Sequence, residues 1–264
     1  MVDTQSSYDD RNIPIDRVGI RGLRYPITVL DKKNNYQNTT ATINMYANLP
    51  HHFRGTHMSR FVEVFNEHYK DIQMKGFISM LKDVKLALEA ESAFIEIEFP
   101  YFIEKSAPVT GQKSYMEYKC KYIGQTKGNH ADFWVSIEVP VNTVCPCSKE
   151  ISDYGAHNQR GMVRLTVKLG PFFWIEDLIE LVENSASAGI FSLLKREDEK
   201  FITEHGYDNP RFVEDVAREV VLRVENFSDF PWFKVEAENM ESIHNHNAYA
   251  CIERCIKENA HGPK

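Results

Sequence analysis

The chain lacks the marks of a secreted, membrane-bound or nucleic-acid-coating protein. Its five cysteines, Cys120, Cys145, Cys147, Cys251 and Cys255, form an odd set without the spacing of a disulfide framework, so reduced thiols are expected. No C-x-x-C pair occurs, which speaks against a structural zinc ribbon. No run approaches the roughly 20 apolar residues that a membrane helix requires. The opening MVDTQSSYDDRNIP has no apolar signal-peptide core, so the cytoplasm is the expected compartment and no membrane partner is expected. Positive charge is also short. A formal net charge of -7 argues against general nucleic-acid binding, which excess Lys and Arg drive by releasing counterions. An anionic small substrate would need a local basic pocket.

What is present suits a soluble globular protein, long enough for one large domain or two small ones. Residues to about Gly22 are polar and acidic and read as a mobile arm, with order beginning near Tyr25. YPITVLD and TTATINMYANLP read as a hairpin across KKNNYQN. THMSRFVEVFNEHYKDI and GFISMLKDVKLALEA carry apolar residues at helical spacing, with Thr56 as an N-cap, and SAFIEIEFPYFIEK and QKSYMEYKCKYIGQ alternate as strands. The order ββααββ then recurs. ADFWVSIEVPV, GMVRLTVKL, WFKVEAENMES and NAYACIERCI are its strands; IEDLIELVENSASAG and NPRFVEDVAREVVLRVENF are its helices. The expected class is α+β: two tandem ββααββ modules, each an antiparallel sheet with paired helices on one face. The boundaries are an arm over 1–24, a first module over 25–126 and a second over 127–264. Each sheet leaves one face needing cover, which favours oligomerisation with sites at boundaries.

The unusual chemistry gathers in VNTVCPCSKEISDYGAHNQRG, between the first two strands of the second module. If the segment stays extended, Cys145 and Cys147 project to one side, stiffened by Pro146. Either thiol suits a metal or a nucleophilic role; small buried filler is the alternative. His157 lies in a polar loop where no core demands an imidazole, and a borderline-soft ion accepts Cys and His together. ENMESIHNHNAYA adds Glu238, Glu241, His244 and His246 at a turn, a set that suits proton chemistry or a solvated loop. LPHHFRGTHMSRF opens a helix with basic and imidazole groups, where an anion could sit. KREDEKFITEHG, with Glu197, Asp198, Glu199 and Glu204, reads as a solvated loop.

Together, LPHHFRGTHMSRF, TVCPCSKEISDYGAHNQRG, LLKREDEKFITE, NPRFVEDVAR and ENMESIHNHNAYA resemble the prokaryotic type IB GTP cyclohydrolase I family, built on the tunnelling fold. The resemblance covers nearly all of the chain beyond the arm. It implies a bimodular subunit in a homotetramer with sites at subunit interfaces, and conversion of GTP and water to 7,8-dihydroneopterin triphosphate and formate, the entry to folate. It implies Cys145, His157 and Glu199 as metal ligands, with Mn²⁺ or Zn²⁺ as the ion and Fe²⁺ tolerated by the same donors. Cys147 is implied as a catalytic thiol or alternative ligand and His244 as a proton carrier. Glu241 is implied as the acid that anchors the purine, and Glu214 as a further site acid. Arg54, His57, Arg60, Lys149 and Arg160 are the substrate-binding candidates, the four cations for the triphosphate. Where the family more often has a proline after LLKR, this chain has Glu197.

The physical reading agrees with these roles. A carboxylate offers two acceptors to the adjacent N1–H and amine of guanine, and a divalent ion lowers the pKa of water that adds at C8. An archaeal-type enzyme giving a cyclic phosphate, a nitrile-reducing tunnelling-fold relative and a non-catalytic purine- or metal-binding module are the alternatives.

Overall fold

The computed structural model describes residue 5 and residues 7–256 and 260–263. Residues 1–4 and 6 of the expected arm, and 257–259 and 264 of the expected second module, lie outside them. The chain order is β1 (Ile15–Asp31), β2 (Asn35–Leu49), α1 (Met58–His68), α2 (Met74–Ala87), β3 (Ser92–Ser106) and β4 (Lys113–Lys127). It continues with β5 (His130–Val144), α3 (Pro146–Ile151), β6 (Asn158–Lys168), α4 (Ile175–Glu183), α5 (Arg196–Asp208), α6 (Val213–Phe227), β7 (Trp232–Asn239) and β8 (Ala248–Cys255). The eight strands form one antiparallel sheet in chain order, so the architecture is the expected α+β. Among the described residues, no helix is long and apolar enough to cross a membrane.

The chain divides into two compact units. The first is built from the chain up to Pro100 together with Lys121–Val135, the second from Tyr101–Cys120 and Ser136–Gly262, so β3, β4 and β5 each contribute to both. In the first unit the inward stripes of α1 and α2, Phe61, Phe65, Phe77, Met80, Leu81 and Val84, are buried with alternate residues of β2 and β3. In the second, α4 and α6 bury Leu178, Ile179, Val182, Val216, Val220 and Val224, and α6 packs on β7 and β8. Each such side chain contributes about 1.5–3 kcal/mol by leaving water.

The opposite sheet face in the second unit differs from expectation. It carries a charged ladder in place of apolar surface awaiting cover. Glu138 on β5 accepts from Arg164 on β6 at 2.7 Å, and Arg164 reaches Glu236 on β7 at 3.8 Å. Glu236 also takes Lys234 at 3.1 Å and the Tyr249 hydroxyl at 2.8 Å. Strand alternation puts these groups on one face and the core on the other.

Four local expectations are corrected. The first strand begins at Ile15 and not near Tyr25, because Ile15–Ile20 pairs with β2, and ahead of it Tyr8 already bridges Phe53. Register shifts between Ile15 and Val18 and between Ile20 and Leu23 break the alternation that marks a strand, and Gly22 supplies a positive φ of 72° at the second. The N-cap of α1 is His57, not Thr56, and its side chain makes no capping bond. The Cys-Pro-Cys segment is not extended: Cys145 is the N-cap of α3 and Pro146 its first residue, a position that suits a missing N–H. Cys145 and Cys147 therefore do not project together as alternate strand residues would. Finally, the acidic 196–208 segment, expected as a loop, is helix α5.

Candidate active site

Antiparallel pairing explains why distant motifs meet. β6 pairs with β7 so that Gly161 stands opposite Asn239, which puts the loop before β6 beside the loop after β7. A Cβ on Gly161 would lie 2.8 Å from Asn239 Oδ1 and 3.0 Å from Val141 Cγ2, so any side chain here would have to push Asn239 and Val141 aside. Met240 N–H then donates to Arg160 O at 2.9 Å and continues the ladder into the 240–247 turn.

The loop from β5 to β6 folds on itself. Cys145 N–H donates to His157 O at 3.1 Å, closing the segment that holds α3. The Cys145 sulfur accepts Ser148 N–H at 3.5 Å as the cap of α3. The Ser148 hydroxyl donates to Cys145 O at 3.2 Å and accepts His157 N–H at 3.1 Å. The base of this loop is tied down as well: Val144 N–H donates to the buried Ser187 hydroxyl at 3.1 Å, and Val144 O accepts Arg211 N–H at 3.0 Å.

Around the His157 ring stand Gln159, Ser242 and His244. Its Nδ1 lies 2.9 Å from Gln159 Oε1 and 3.4 Å from Ser242 Oγ, and the His157 and His244 rings are 6.5 Å apart, edge on. Glu241 is 3.6 Å from His244 Nδ1, and His246 is the next ring out, 5.1 Å from His244. His157 is half-buried while His244 and His246 are exposed, so the histidines step from the loop base toward solvent.

The structure thus brings together Cys145, His157, Glu241 and His244. Cys147 is exposed on the first turn of α3. Glu214 is exposed on the first turn of α6, three residues after the Arg211 link to Val144. Glu199 is exposed on the first turn of α5, at whose opposite end a Cβ added to Gly206 would lie 3.5 Å from Val144 Cγ2. Seven residues separate these positions, roughly 10 Å along a helix. Among the described residues, no three His, Cys, Asp or Glu side chains are grouped so as to hold a metal ion.

The basic candidates are dispersed. Lys149 reaches Tyr207 O at 2.5 Å and lies over the Tyr207 ring, while Arg160 is exposed at the start of β6. Arg54, His57 and Arg60 belong to the first unit. Arg60 donates to Ala87 O at 2.7 Å, where a cation meets the negative end of α2. Sequence reasoning missed Ser148, Gln159 and Ser242. The signal for Gln159 was the H-x-Q spacing, since residues two apart entering a strand share a side.

The family model for type I GTP cyclohydrolase folE2 matches residues 1–250. GTP cyclohydrolase FolE2 of Kosmotoga olearia is 58% identical over 254 residues, covering 96% of this chain and 98% of that one. The Fervidobacterium nodosum protein of the same name is 55% identical over 250 residues, covering 95% and 96%. The Syntrophobacter fumaroxidans one is 54% identical over 255 residues, covering 96% and 99%. Among solved structures, uricase from Arthrobacter globiformis superposes with a TM-score of 0.52 at 8% identity, covering 94% and 96% of the two chains. Urate oxidase from Bacillus subtilis gives 0.52 at 7%, covering 90% and 98%. These urate oxidases establish a shared tunnelling fold. Matched along nearly its whole length by that family model and by these relatives, the chain belongs to the type I GTP cyclohydrolase FolE2 family.

Proposed function

We propose that the chain hydrolyses GTP to 7,8-dihydroneopterin triphosphate and formate, the type I GTP cyclohydrolase reaction of its family, at the entry to folate synthesis in the cytoplasm. The observation that carries the reading is the tied Cys145–His157 loop with Glu241 and His244 beside it. A purine ring opening needs a site that activates water and moves protons onto nitrogen, and a sulfur–imidazole pair flanked by a second histidine and a carboxylate supplies those groups.

The donor chemistry fits a divalent ion, Mn²⁺ or Zn²⁺ with Fe²⁺ tolerated, since thiolate and imidazole donors suit borderline ions. Cys145 and His157 would hold it. Glu199 is the proposed third ligand, which requires the first turn of α5 to approach the pair. When bound, the ion supplies Lewis acidity that lowers the pKa of water toward neutrality. Glu241 offers two carboxylate oxygens to guanine N1–H and its amine, with Glu214 a further acid at the rim. His244, 3.6 Å from Glu241, carries protons during ring opening, assisted by the Cys147 thiol. Arg54, Arg60, Lys149 and Arg160 meet the triphosphate, with His57 a further substrate-binding group, in a homotetramer whose sites lie at subunit interfaces; an acidic chain must concentrate its cations there.

The test is to strip the protein with a chelator, add GTP, restore single divalent ions, and measure formate and the pterin product. Restored activity is expected, with Cys145→Ala and His157→Ala each losing both bound metal and turnover. Either variant keeping both overturns the ligand assignment, and metal-loaded protein that binds GTP without releasing formate overturns the reaction.

A further inference from the structure

We infer that Gln159 and Ser148 are positioning residues for the Cys145–His157 pair, and that Gln159 fixes the His157 tautomer whose Nε2 is the ligating atom. The inference rests on the reading of that pair as metal donors.

Gln159 is a polar side chain in a strand that otherwise turns Gly161, Val163 and Leu165 inward, and it is only 6% exposed. Burying an amide is unfavourable unless it is hydrogen-bonded, and its partner here is His157 Nδ1 at 2.9 Å. An amide oxygen accepts and cannot donate, so Nδ1 carries the proton. Neutral imidazole has one proton, which leaves the Nε2 lone pair open to a cation. Ser242 Oγ, at 3.4 Å from the same Nδ1, lets the 240–247 turn rest against the ring without competing for Nε2.

Ser148 ties the other half. Its hydroxyl accepts from His157 N–H and donates to Cys145 O, while its own N–H points at the Cys145 sulfur. Together with the Cys145 N–H bond to His157 O, these contacts close a ring of residues 145, 148 and 157 before any ion arrives. Outer partners of this kind fix the orientation of ligating histidines, and losing one typically costs about 10–100-fold in metal affinity.

The tautomer is read directly by nitrogen-15 NMR of histidine-labelled, metal-free full-length protein. His157 is expected with its proton on Nδ1, and Gln159→Leu is expected to lose that preference. Zn²⁺ affinity, measured by competition with a chromophoric chelator, is expected to fall about 10–100-fold in Gln159→Leu and in Ser148→Ala. Gln159→Glu and Ser148→Thr, which keep the acceptor and the hydroxyl, are expected to restore most of it. A parent protein with the His157 proton on Nε2 overturns the inference, whatever its metal affinity and whether or not the variants fold. So does unchanged Zn²⁺ binding in Gln159→Leu when His157→Ala abolishes it, a result that leaves the ligand reading standing. Unchanged binding in His157→Ala removes both.

Discussion

Cys145 has two duties that one substitution separates. As N-cap of α3 its sulfur takes the Ser148 amide, and as a soft donor it is proposed to hold the ion. Serine is among the best N-cap residues, whereas its hydroxyl is a poor ligand for soft or borderline metals at neutral pH. Cys145→Ser is therefore expected to leave the urea midpoint of metal-free protein unchanged or raised, within about 1 kcal/mol. Zn²⁺ affinity should fall at least about tenfold. Equal loss of stability and metal binding would mean that the sulfur is structural. The sequence made Cys145 and His157 visible because no core argument explains them where they stand. It did not reveal Ser148 and Gln159, whose roles exist only once α3 folds the loop back. Pro146 was the misread residue: the ring that stiffens an extended segment also starts a helix, and capping geometry decides between them.

Helix α5 shows the same limit at the scale of an element. Its buried residues are Asp198 and Gly206, and Phe201 and Tyr207 are exposed, so it has no apolar stripe for periodicity to detect. Helices α1, α2, α4 and α6, which bury apolar faces, were legible for the opposite reason. What anchors α5 is a polar clamp. The Asp198 carboxylate is fully buried and accepts Val109 N–H, Thr110 N–H, the Thr110 hydroxyl and Lys195 N–H, all at 2.7–2.9 Å, joining the helix start to the β3–β4 turn. Burial alone would raise the pKa of this carboxyl, but the amide bonds of Thr110 and Lys195, with the other donors, outweigh it and hold it below the usual carboxylate range. A depressed folded pKa contributes stability that is complete above the unfolded value, about 3.9, and is lost as pH falls toward the folded one. Asp198→Asn puts amide hydrogens against amide donors. It is expected to lower the urea midpoint at neutral pH, to flatten the acid decline below about pH 4, and to speed hydrogen exchange over 196–200. Parent-like exchange there would remove the clamp. Because Glu199, the proposed third ligand, is the next residue, the same variant should also weaken metal binding.

For the whole molecule the question is what completes the sheet. Eight strands in chain order leave β1 and β8 as its edges, and an open edge presents unpaired backbone groups to another chain. Neither edge is blunted by brevity: β1 runs 17 residues, with Ile13 and Ile15 exposed near its start. β8 exposes Tyr249, and Ile256 just beyond it is exposed too. The polar ladder of Glu138, Arg164 and Glu236 makes the helix-free face of the second unit compatible with water, so apolar cover of that face is not what drives association. Edge pairing between copies is the remaining demand, and a closed point group satisfies it where an open one would polymerise. The homotetramer proposed above is expected to sediment at about four times the 30.6 kDa of one chain, with a Tm that rises with protein concentration, as mass action requires of an assembly that melts to unfolded chains. A 30.6 kDa species with a concentration-independent Tm would refute this. If such a monomer still released formate from GTP, every catalytic group would have to come from one chain, and Glu199 would have to reach Cys145 and His157 through movement of α5 alone.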